Sequence, residues 1–62
     1  MNTDLKNRTT IILLNYLGLL ESDKKELESR DYSEFNEQLK AYNQDDINKV
    51  ENLLKDLKNE NI

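Results

Sequence analysis

The sequence predicts an all-α fold: a small three- or four-helix bundle, with a helical-hairpin homodimer as the other arrangement. Three observations carry this expectation. The chain has no Pro and a single Gly, Gly18, so the turn pairs that a small β fold needs are missing. Apolar residues recur at helical spacing, most clearly Ile47, Val50, Leu53, Leu54 and Leu57. Residues 11–20 hold eight of the 22 apolar side chains in a chain whose mean hydropathy is −0.95.

The first helix is expected over about 4–21. Thr3 is a capping residue, and Asp4 suits the positive end of the helix dipole. Leu13, Leu17 and Leu20 lie on the side opposite Asp4, Arg8, Asn15, Gly18 and Ser22. Leu5, Ile12, Tyr16 and Leu19 spread between the two sides. A helix apolar over so much of its circumference needs cover on more than one side. Gly18 costs about 1 kcal/mol relative to Ala in such a helix. It reads either as an approaching helix end or as a place for another backbone to come close. The β-branched run Thr9-Thr10-Ile11-Ile12 suits a strand only if another molecule pairs with it, because no second segment of this chain does.

A second helix is expected over about 23–30. Asp23 and Glu26 have capping-box spacing, and Glu21–Lys25 and Glu26–Arg30 are favourable i,i+4 pairs. Leu27 is the lone aliphatic residue between Leu20 and Leu39. A break at Asp31-Tyr32 precedes Ser33, an N-cap for a third helix over 33–43 with Phe35, Leu39 and Tyr42 on one face. Asn43-Gln44-Asp45-Asp46 then reads as a stop, and a fourth helix follows over 45–59. Lys55 and Lys58 sit in its last turns, where they complement the helix dipole. The series Leu39, Asn43, Ile47, Val50, Leu54, Leu57 is also heptad-like, so one continuous helix over 33–59 is the alternative. Broken helices favour a compact bundle; a continuous one favours a dimer of hairpins. The expected core is Ile12, Leu13, Tyr16, Leu17, Leu20, Phe35, Leu39, Ile47, Val50, Leu54 and Leu57.

A chain of 62 residues makes one domain, 1–62, and a domain of that size buries only about 60% of its unfolded surface. It has no Cys and no His, so disulfides and the usual zinc sites are excluded as staples. Oligomerisation or a partner remains as the source of extra stability. The net charge is −4, with Lys6 and Arg8 against Asp4 in the first twenty residues and the acidic excess after them. That charge disfavours nucleic acid. It reads as a solvated surface or as a match for a basic groove. The N-terminus lacks a signal-peptide pattern, no lipidation motif is present, and the apolar run is too short for a bilayer, so a cytoplasmic protein without membrane attachment is expected. The abundance of Asn, Lys, Ile and Tyr suits an AT-rich genome, such as that of a low-GC bacterium or its phage.

Residues for chemistry are sparse. Without His or Cys, the usual general base and the thiol nucleophile are missing, and one Gly does not make a phosphate loop. Ser22 and Lys25 match a Ser-x-x-Lys spacing, but capping explains Ser22 better. Asn43, Asp45, Asp46 and Asn48 offer oxygen ligands without the alternation of a calcium loop. No cofactor, no metal and no enzymatic activity are therefore expected. The expected function is that of a small acidic regulator of the inhibitor, antitoxin, immunity or adaptor type, which contacts a larger protein through its helices. Ile11, Leu14, Gly18 and Leu19 are candidates for that contact as surplus apolar surface, and Tyr32 with Arg30 as an exposed anchor and its polar neighbour. Two alternatives are a helix-turn-helix repressor broken near Asn43-Gln44, and a purely structural oligomerisation module.

Overall fold

The computed structural model describes residues 2–59, and they form one antiparallel helical hairpin. α1 spans Thr3–Glu28 and α2 spans Glu34–Lys58, with residues 29–33 between them. The expected bundle of three or four helices is thus corrected to two long helices. Both expected internal stops are absent.

α1 begins one residue earlier than its expected cap. Asn2 Oδ1 accepts the N–H groups of Asp4 at 2.8 Å and Leu5 at 3.3 Å, which satisfies two of the free donors at the helix start. The β-branched run is helical, and Thr9 and Thr10 turn their hydroxyls back to the carbonyls of Leu5 and Lys6, each at 2.8 Å. At 22–23 the helix continues: Ser22 and Asp23 are exposed on its surface, and no Gly or Pro interrupts the backbone. It ends at Ser29, whose N–H reaches the carbonyls of Lys25 and Glu26 and whose Oγ donates to the Glu26 carbonyl at 2.6 Å.

α2 starts where Ser33 Oγ accepts the Asn36 N–H at 3.0 Å. It runs straight through 43–46, where no Gly or Pro interrupts the backbone and three of the four polar residues have partners other than a helix cap. Gln44 donates to Asn48 at 3.0 Å, and Lys49 pairs with Asp45 at 2.9 Å. Asn43 faces α1. The Lys49 ammonium titrates above its ordinary value of 10.5, chiefly through its hydrogen bond to Asp45 and then that carboxylate's charge. The pair's contribution is therefore present at neutral pH and fades as pH rises through the raised lysine value. Glu26–Arg30 also closes, at 2.8 Å. Such exposed pairs contribute little to stability, because water and salt screen them.

The inward positions follow a heptad. Leu13, Leu17, Leu20 and Leu27 face inward on α1; Asn43, Ile47, Val50, Leu54 and Leu57 face inward on α2, in steps of three, four or seven. Leu20, Ile47 and Val50 form the buried centre, with Leu13, Leu17 and Leu54 packed against it. Leu27 is buried nearer the turn. Asn43, 7% exposed, donates its side-chain N–H to the Leu20 carbonyl at 3.0 Å. That oxygen has a lone pair beyond the one its own helix uses. Left unpaired in the interior, that amide would cost about 1–3 kcal/mol, and the bond to Leu20 removes the penalty.

Three expected core residues lie outside this seam. Ile12 is 66% and Phe35 67% exposed, and Tyr16 is also exposed. The reason is geometric: a pair of helices buries one stripe of each, and these side chains sit beside that stripe rather than on it. The molecule measures 46 × 15 × 11 Å, with a radius of gyration of 14.5 Å. A compact chain of this length has about 10.6 Å. No described side chain is fully enclosed.

Because the buried centre is so small, truncating it is costly. Leu20→Ala or Ile47→Ala should each cost ~2–5 kcal/mol in urea unfolding followed by circular dichroism. Ile11→Ala, on an outer side of α1, should change stability by less than about 0.5 kcal/mol. Equal losses at all three positions contradict the seam.

Candidate protein-interaction surface

Ten large apolar side chains are exposed among the described residues, and seven of them share one broad face. On α1 the seven-residue repeat Leu5, Ile12, Leu19, with Tyr16 between, runs one step around from the inward stripe. On α2, Phe35, Tyr42 and Leu53 occupy the equivalent stripe. The two stripes open on the same side of the hairpin. Asp23 continues the Ile12–Tyr16–Leu19 stripe, and Asp46 continues Phe35–Leu39–Tyr42. Both aspartates line one groove between the helices, of about 260 Å³, with Leu20, Leu27 and Leu39 at its floor. The opposite groove is lined by Lys24, Glu28, Lys40, Ala41, Asn43 and Gln44, and the aliphatic parts of these side chains make most of its wall. None of the seven large exposed hydrophobic side chains of the broad face lines that groove.

The six residues singled out from sequence fall in three places. Leu19, 65% exposed, lies on the broad apolar face. Ile11, Leu14 and Gly18 form a second stripe on the outer side of α1, away from the seam, and Ile11 and Leu14 are more than half exposed. A methyl group added at Gly18 meets no atom within 4 Å, so no other part of this chain approaches it. Arg30 and Tyr32 stand at the turn. Arg30 is held by Glu26 at the groove that Asp23 and Asp46 line, and Tyr32, 77% exposed, projects from the connection. The structure thus separates these residues instead of gathering them into one patch.

Sequence reasoning missed most of the broad face. The helical spacing places Ile12, Tyr16 and Phe35 in the expected core and Leu53 on the stripe of the last helix, and it gives Leu5 and Tyr42 no contact surface. The seven-residue repeats of Leu5, Ile12 and Leu19 and of Phe35 and Tyr42 carried the signal, because a second heptad beside the first marks a second seam.

The oxygen-rich segment at 43–48 does not converge on a point. Asn43 turns into the seam, Asp45 turns out to Lys49, and Asn48 is bonded to Gln44. Among the described residues no group of three or more His, Cys, Asp or Glu side chains is placed to hold a metal ion. No described helix is long and apolar enough to cross a membrane. The break that a helix-turn-helix needs near Asn43-Gln44 is missing, since α2 is continuous there. No protein-family model, curated protein or solved structure matches the chain. The reading of this surface rests on its own geometry.

Gly18 gives a direct check on the outer stripe. With open space beside it, Gly18→Ala removes the helix penalty of glycine and should stabilise the isolated protein by about 0.5–1 kcal/mol. A lower melting temperature for Gly18→Ala means that something packs on that backbone in the free protein.

Proposed function

We propose that the protein is a small, acidic, non-catalytic regulator that acts by binding a larger protein through apolar helix surface. The observation that supports this reading most is the amount of such surface. Among the described residues, ten large hydrophobic side chains are exposed, on the broad face, on the outer stripe of α1 and at the turn. Patches of this kind, rimmed by charge, are the usual mark of contact surfaces. The absence of His and Cys removes the commonest catalytic groups. Inhibitor, antitoxin, immunity and adaptor roles all fit a surface of this kind.

The outer stripe suits a partner helix. Ile11 and Leu14 are large and exposed, and Gly18 one turn further on exposes backbone that another helix can approach closely. The acidic surplus around the turn end complements a basic rim on the partner and speeds encounter more than it adds affinity.

Photo-crosslinking in cells that make the protein tests this reading. A photoreactive residue at Leu14 should give a discrete adduct heavier than two copies of the chain. The same group at Asn52, on the polar outer side of α2, should not. Adducts confined to copies of this chain, or none at all, contradict the regulator reading.

A further inference from the structure

We infer that the broad apolar face is covered by a second copy of this chain, turned end for end, so that two hairpins form an antiparallel four-helix bundle. The inference shares with the proposed function the reading of exposed helix surface as contact surface, and goes beyond it by naming the occupant of one face. Two observations argue for a second copy and for this orientation.

The first is area. A compact monomer of 7.4 kDa exposes about 4,200 Å². This chain exposes 5014 Å². The surplus of about 800 Å² matches the ~800 Å² that each partner gives to an interface of standard size. The face that would supply it is made by both helices: Ile12 and Leu19 on α1, Phe35, Tyr42 and Leu53 on α2, each more than half exposed. A second hairpin of the same dimensions offers the same face, which is the self-complementary contact that two-fold symmetry requires.

The second is charge. The half of the hairpin nearer the turn, residues 17–46, carries nine acidic and four basic side chains. The open half, residues 3–16 and 47–59, carries three acidic and five basic ones. The molecule is thus an electrical dipole along its 46 Å axis. Two copies aligned in the same direction bring the two acidic halves together. End-for-end packing sets each acidic half against a basic one, and the length of the molecule far exceeds the screening distance of about 8–10 Å in ordinary salt. Opposite ends are therefore sensed locally, and the inverted arrangement is the favourable one.

The purified full chain tests both parts. Sedimentation equilibrium should give twice the 7.4 kDa chain mass, and Leu19→Glu or Tyr42→Glu should weaken association ~100-fold or more, by burying an unpaired charge. Asn52→Glu, on the outer side of α2, should leave the mass unchanged. A spin label on Ser29→Cys reports orientation on an otherwise native interface. In the inverted dimer two labels lie near opposite ends of a body 46 Å long; copies aligned in the same direction place them within ~20 Å, about two helix diameters. A monomer across the concentration range, a dimer indifferent to Tyr42→Glu, or a short label distance overturns the inference. A monomer that still gives the heavy Leu14 adduct in cells leaves the regulator reading intact. A dimer with no such adduct has the opposite meaning.

Discussion

Two helices alone bury one stripe of each, and everything else in this molecule follows from that constraint. The seam between α1 and α2 takes Leu13, Leu17, Leu20 and Leu27 from one side and Ile47, Val50, Leu54 and Leu57 from the other. Leu20, Ile47 and Val50 are its well-covered centre. α1 is apolar well beyond that stripe. Leu5, Ile12, Tyr16 and Leu19 lie to one side of it, Ile11 and Leu14 to the other, and the hairpin covers neither group. The surplus is a property of the fold class: a third helix would cover it, and the described residues form none.

Asn43 adds a polar bond to this simple seam. Its side-chain N–H donates to the Leu20 carbonyl, which gives a buried amide its acceptor in the register observed. The same register sets Asp23 and Asp46 across one groove, which brings the flanking stripes of both helices to a single face. Lys24 and Lys40 border the groove on the other side of the seam.

The sequence shows the helical class, the start of α2 at Ser33, and the inward stripe of its second half. It shows less about where helices end. Ser22, Asp23, Asp45 and Asp46 are capping residues in one context and ordinary surface residues in another, and without Gly or Pro nothing local decides between them. Here Lys49 engages Asp45 and the stop never forms. Leu27 was passed over because it stands alone among charged residues, yet it repeats Leu13 and Leu20 at seven-residue intervals and is buried. Ile12, Tyr16 and Phe35 were drawn into the expected core because a bundle of several helices would cover them. The expected contact residues were legible as surplus but not as places: the register across the turn decides which side of the hairpin each one occupies.

Paramagnetic relaxation of the methyl groups by a soluble agent, read by NMR at low and high protein concentration, tests the central claim most directly. The claim is that the face beside the seam is open in one hairpin and closed by another. The account predicts that Ile12, Leu19 and Leu53 become protected as concentration rises, that Ile11 and Leu14 stay accessible throughout, and that Leu20 and Val50 stay protected throughout. Uniform accessibility of Ile12, Leu19 and Leu53 at every concentration, or protection that appears at Ile11 and Leu14 instead, would contradict it.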